Sequence, residues 1–143
     1  MTSGNWLIWA LFSAVFAALT GILAKVGLKE VNSNFALFIR TLIVNALLVG
    51  FLFYTKAWSS PTALSMKTWV FLALSALATG ASWICYFRAL QLGTVSQVAP
   101  IDKLSVILAV LFAVAFLGDR PSPREWLGIA LIAAGTLVIA LPK

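Results

Sequence analysis

Four ionisable residues interrupt long apolar runs of this sequence: Arg40, Arg88, Asp102 and Lys103, with Lys25 at the edge of a further run. A charge within such a run is costly unless protein or water answers it, so each marks a function or a buried pair. Asp102 is the one acid inside any of these runs, and Arg40, Arg88, Lys25 and Lys103 are the partners on offer. Lysine and arginine near a helix end have a second outlet, snorkelling back to water. That outlet suits Lys25 and Arg88 better than Arg40, Asp102 or Lys103. An acid among bases could carry a proton or hold a cationic group. The bases could instead attract an anionic solute or a lipid headgroup.

Beside the charges runs a line of hydroxyls. Ser75, Thr79, Ser82 and Tyr86 follow i, i+4, i+7, i+11, the spacing of one helix face, and Trp83 borders that face. Asn45, and Thr20 earlier in the chain, fall at comparable depth in their own runs. Such groups either line a polar cavity or bond back to the i−4 carbonyl and to neighbouring helices. Pro100, just before Ile101-Asp102-Lys103, withholds an N–H and frees a carbonyl one turn back. It either kinks the helix beside the charges, as in a broken-helix binding point, or sits harmlessly in a first turn. Chemistry that breaks covalent bonds has nothing to use. Histidine is absent, and no run holds paired carboxylates, a glycine-rich phosphate loop or metal-ligand spacing. Neither an enzyme, a metal nor a cofactor is expected. The single cysteine, Cys85, excludes an internal disulfide and in its apolar run reads as a packing residue.

The elements that must position these residues follow from composition. Of 143 residues, 62% are hydrophobic and 10% charged, and the mean hydropathy is +1.04. Too few charges remain to cover a surface in water, so lipid is the solvent and the bilayer the first partner. The net charge of +6 does not mark nucleic-acid binding, because the basic residues are scattered singly between apolar runs. A bilayer core of roughly 30 Å takes about 20 helical residues. Five runs meet that length: about Trp6–Val26, Phe35–Tyr54, Trp69–Leu90, Val95–Leu117 and Trp126–Leu141. The strict alternation of a barrel is absent, so the runs are helices. The expected fold is an all-α integral membrane bundle of five transmembrane helices, a single domain over residues 1–143.

Local signals punctuate the runs. Gly27 ends the first, Lys29–Asn34 form a turn, and Asn34 is placed to cap the second. Thr55–Thr68 form the one longer connection, with Ser59-Ser60-Pro61 as its breaker. Gly93 and Gly118 close the third and fourth. The fifth opens on a capping box, with Ser122 as N-cap, Pro123 at the first helical position and Glu125 two residues on. Small residues at four-residue spacing (Ala17 and Gly21, Ala76 and Gly80, Ala130 and Ala134) predict close approach between helices.

The two membrane sides are not equally marked. Trp6, Trp9, Trp69 and Trp126 start helices on the N-terminal side and Trp58 lies in a loop there, an interfacial aromatic belt. The cations balance: Lys56, Lys67, Arg120 and Arg124 on that side, against Lys29, Lys143, Lys25 and Arg88 on the other. The positive-inside rule therefore sets no orientation, and insertion both ways, with an antiparallel homodimer, is one consequence. Met1-Thr-Ser-Gly-Asn lacks the positive start of a leader, so the first run reads as a retained span.

Three stretches together resemble the EamA repeat of the drug/metabolite transporter superfamily. They are Tyr86-Phe-Arg-Ala-Leu-Gln-Leu-Gly93, Leu111–Leu117 followed by Gly118-Asp119-Arg120, and Leu127-Gly-Ile-Ala-Leu-Ile-Ala-Ala-Gly135. The spacing Gly21…Lys25…Gly27, then Asn34…Arg40, is similar to the start of the same repeat. The resemblance covers nearly the whole chain and implies a five-helix unit. Relatives usually carry two inverted units and move small metabolites, so a homodimer is the simplest way for one unit to complete a pathway. The sequence departs from the family in having Asp119 where glutamate is usual, and Pro100 rather than a proline near Ser105-Val106. Residues and resemblance together lead to the expectation of a multi-pass transporter of small solutes in a prokaryotic inner or plasma membrane, a dimer of five-helix units with alternating access around the Asp102 region. The rival expectation is a non-transporting accessory, scaffold or lipid-binding subunit.

Overall fold

The computed structural model describes residues 5–141. Residues 1–4, read above as lacking a leader, and Lys143, counted among the cations, lie outside the described residues. The described chain is helical without strands: α1 Asn5–Gly27, α2 Ser33–Tyr54, α3 Met66–Leu92, α4 Val95–Asp102, α5 Leu104–Phe112 with a π-turn at Ala113–Leu117, and α6 Pro123–Ala140. Taking α4, α5 and the π-turn as one span (95–117), five helices are long and apolar enough to cross a membrane. The expected runs are matched within a few residues, α3 gaining a turn at its start. Two compact bodies divide the chain. One is Leu23–Leu92; the other joins α1 up to Ile22 with the chain from Gly93 onward.

In the body 23–92, α2 and α3 run side by side, with residues 37–41 meeting the second half of α3. The cap of α2 corrects the sequence reading. Asn32, not Asn34, is the N-cap: its side chain accepts from the N–H of Asn34 at 2.9 Å, and Ser33 is already helical. Two asparagines two apart offer the same chemistry, and only the extended backbone at Asn32 decides between them. At the same end, Lys25 Nζ donates to the carbonyl of Leu90 at 2.6 Å. That carbonyl lies in the last turn of α3, where helix carbonyls lack partners and a cation is favoured. Gln91 Nε2 donates to the carbonyl of Val31 at 3.1 Å, tying the α1–α2 turn to the end of α3. Leu28, Leu37, Phe87 and Leu90, the buried apolar side chains, all lie toward this end. At the opposite end, Phe53 and Trp58 stack at 5.1 Å, and Trp69 Nε1 donates to the carbonyl of Pro61.

In the other body, Gln97 accepts from the backbone N–H and hydroxyl of Thr94, closing the start of α4. The long span breaks at Lys103. Lys103 N donates back to Pro100 O and Val106 N to Lys103 O, both at 3.0 Å, which are i→i−3 bonds in place of the α pattern. Pro100 has no N–H to offer and lies inside the helix, not in its first turn. The span ends in the π-turn, where Gly118 takes the left-handed conformation (φ 75°) that a Cβ penalises. The Ser122–Glu125 box is formed in both directions, with Pro123 at the first helical position.

Two expectations fail. Two of the small-residue pairs do not close-pack within the described residues: Ala76, Ala130 and Ala134 are exposed, and a Cβ added at Gly80 would meet nothing within 4 Å, whereas Gly21 of the remaining pair is buried. Alanine-rich helices generate such spacing without a helix to receive it. Cys85 is exposed, not a packing residue. In lipid an apolar thiol gains little from burial, since hydrocarbon replaces water on the outside.

Two stability outcomes follow for the purified protein in detergent. Ser122→Ala should lower the thermal midpoint by the equivalent of about 1 kcal/mol, while Ser122→Asp should hold it; an unchanged Ser122→Ala would deny the cap its role. Gly118→Ala should cost about 1 kcal/mol through backbone strain alone. Gly135→Ala, helical and with open space around it, should cost nothing.

Candidate functional site

Candidate residues from the sequence fall into both bodies. In the body 23–92, α2 presents Arg40 and α3 presents Trp83 and, four residues on, Phe87. The Arg40 guanidinium lies 4.8 Å from the centroid of the Trp83 ring and 5.4 Å from that of Phe87. Phe87 is buried, while Arg40 and Trp83 are half-buried. The negative faces of the two rings hold the cation, a stabilisation that grows where water is excluded. Arg40 follows Ser33 by seven residues, about 10 Å of helical rise into the span.

Next to this cluster an open groove of about 470 Å³ runs between α2 and α3. Its α3 wall is centred on Leu72, Ala76, Gly80 and Trp83, at i, i+4, i+8, i+11. The hydroxyl line sits at the edge of that wall. Ser75 and Thr79 border the groove, whereas Ser82, exposed, and Tyr86, half-buried, are not among its lining residues. Thr41 lines the α2 side, its hydroxyl donating to the carbonyl of Leu37 at 2.8 Å. For Thr41 the back-bonding alternative therefore holds and still leaves the residue on the groove. Asn45 is exposed near the middle of α2 and outside the groove.

The other two candidate cations of this body, Lys25 and Arg88, are engaged at the end of α3. Lys25 holds the Leu90 carbonyl, and Arg88 donates to Gln91 Oε1 at 3.0 Å. Phe87 and Gln91 escaped the sequence reading. The i, i+4 spacing of Trp83 and Phe87 carried the signal for the first; for Gln91, nothing marked it.

In the other body Asp102 and Lys103 form an ion pair at 3.6 Å. Of the four partners open to Asp102, Lys103 is the one in its own body, and both side chains retain substantial exposure, 36% and 56%. They sit where α4 gives way to α5, with Pro100 one turn before. The expected association of broken helix and charges is therefore present. A cleft of about 520 Å³ between the end of the span and α6 is bordered by Asp119, Arg120 and Glu125, none of them expected as site residues. Among the described residues no group of three or more metal-ligating side chains gathers.

The EamA-like transporter family matches residues 4–141. The chain is 50% identical over 139 residues to a Sinorhizobium protein named as a transporter in the cobO 3′ region, covering 97% of this chain and 99% of that one. It is 26% identical to the Bacillus subtilis transporter YxxF over 92% of its own length but only 41% of that protein. Against the Yersinia pestis protein named as a probable 4-amino-4-deoxy-L-arabinose-phosphoundecaprenol flippase subunit, ArnE, it is 29% identical over 59% of this chain and 75% of the other. No solved structure matches. The chain belongs to the EamA-like transporter family and, with five membrane-length helices, is a multi-pass transporter of the bacterial inner membrane.

Proposed function

We propose that the protein moves small solutes as a dimer of five-helix units, by alternating access around the break at Asp102 and Lys103. The carrying observation is the polarity that each body leaves uncovered. Asn45, Ser75, Thr79 and Ser82 are exposed within membrane-length helices, and the Asp102–Lys103 pair keeps much of its surface. Hydrocarbon answers none of these groups, so protein or water must. A second copy supplies both, by covering the exposed polar surface and enclosing a wet path.

Relatives support a one-unit protomer. The Sinorhizobium transporter is spanned almost completely by this chain, whereas YxxF is more than twice the matched length. ArnE is named a subunit, which supports assembly from more than one chain. In this reading Asp102 carries a proton or meets a cationic group, Lys103 is its exchangeable partner, and Pro100 keeps the helix deformable there. Lys25 and Arg88 hold the end of α3 instead of the path. The rival, a non-transporting accessory or lipid-binding component, gains no support from relatives named as transporters and a flippase.

The test joins assembly to flux. Asn45→Cys in a Cys85→Ala background, treated in native membranes with a short bifunctional maleimide, should give a species of twice the 15.4 kDa chain. In proteoliposomes offered a panel of small solutes, Asp102→Asn should slow the flux at least about tenfold, with Asp102→Glu keeping part of it. Flux that persists in protein shown to be monomeric would remove the dimer. Undiminished flux in Asp102→Asn would remove the pathway.

A further inference from the structure

We propose that Arg40, Trp83 and the groove beside them form a binding site for an amphipathic oxyanion, with a phosphate or carboxylate on the guanidinium and an apolar body along the groove. The idea names a substrate class for the transporter and takes its biological meaning from that reading, although binding is measured apart from flux.

Of the three cations that lie within or at the edge of the spans of the body 23–92, Arg40 is the unusual one. Lys25 and Arg88 already have oxygen acceptors. The one acid of this body, Glu30, lies in the turn before α2 and takes no part in an ion pair. Arg40 meets only ring faces. Two rings stabilise the charge, and among the described residues of this body the guanidinium N–H donors meet no oxygen acceptor. Planar donors in a fork fit two oxygens of one phosphate or carboxylate. Because Trp83 both holds the Arg40 cation and lines the groove, a ligand anchored at Arg40 extends directly along the groove wall.

The groove selects the rest of the ligand. Leu37, Leu72, Ala76 and Ile84 make it mostly apolar, and Ser75 and Thr79 add hydroxyls at one edge. A groove of about 470 Å³ falls in the range that holds a drug-sized molecule. Gly80 leaves it open, since no atom lies within 4 Å of where its Cβ would be. A bare inorganic anion would fill only the Arg40 end, and a neutral alkyl compound only the groove. The same chemistry occurs in a soluble amphiphile and in an anionic lipid, and the arms of the test separate them.

The test uses the purified full chain in nanodiscs of phosphatidylcholine, with octyl phosphate titrated by calorimetry against its neutral dimethyl ester. Saturable binding of octyl phosphate is expected, at least about tenfold tighter than the ester. Arg40→Gln should abolish that preference and Arg40→Lys keep part of it. Gly80→Leu, which fills the groove and leaves Arg40 untouched, should weaken octyl phosphate while sparing methyl phosphate. This second variant keeps the test sound if Arg40→Gln fails to fold. Repeating the titration with phosphatidylglycerol in the disc identifies the source. Competition assigns the site to a lipid headgroup, and its absence to a soluble solute. Equal binding of phosphate and ester, or an Arg40→Gln protein as discriminating as the parent, would overturn the site. Arg40-dependent binding without flux would instead leave the site standing and count against transport, while flux indifferent to Arg40 would do the reverse.

Discussion

Hydrocarbon answers no polar group, and much of the structure is shaped by finding answers inside the chain. The backbone does so by being helical over each membrane-length run. Helix ends, where four carbonyls or four N–H groups lack partners, recruit side chains. Lys25 reaches the last turn of α3, Asn32 caps α2, Gln97 closes the start of α4, and Ser122 and Glu125 cap each other's donors at α6. The body 23–92 shows how one end is assembled this way. Lys25, Gln91 and Arg88 join the turn before α2 to the end of α3, and the four buried apolar side chains gather toward the same end. Burial elsewhere is sparse because lipid removes the drive to bury apolar surface, so polar contacts and close fit specify the arrangement.

The same constraint explains what the sequence revealed. Helix number and length were legible because bilayer thickness fixes both, and the five runs differ from the helices by a few residues. The α6 start was legible because both halves of its capping box lie within four residues. The α2 start was not, since Asn32 and Asn34 are chemically equal and differ only in backbone conformation. At the candidate site, residue types were legible and partners were not. Pairing by sign pointed Arg40 toward an acid; within its own body it meets Trp83 and Phe87, brought to it by the packing of α2 on α3. The hydroxyl line on α3 was visible as a periodicity, yet periodicity does not say which side of the line faces the neighbour. The groove centre falls on Ala76, Gly80 and Trp83, leaving Ser82 and Tyr86 outside its lining.

Charge is held in two different ways, and the difference bears on what each place can do. Arg40 lies over two aromatic rings on a continuous helix, one of the rings buried, and within its own body no carboxylate occupies its donors. A carboxylate partner would have held it as firmly and occupied the donors. Asp102 and Lys103 are neighbours in sequence, 3.6 Å apart and partly exposed, a pairing with little to hold it closed. Their span is also the interrupted one: Pro100 removes a backbone donor, Lys103 adopts three-residue bonding, and the last turn before Gly118 is π-wound. An alternating path needs both qualities, a place that grips without rearranging and an element that rearranges without unfolding. Backbone bonds in α2 and α3 are continuous through the gripping residues, whereas α4–α5 has already given up part of its ladder at the charged pair. In the proposed alternating-access cycle, this interrupted ladder favours the 95–117 span over the continuous α2 and α3 as the element that deforms.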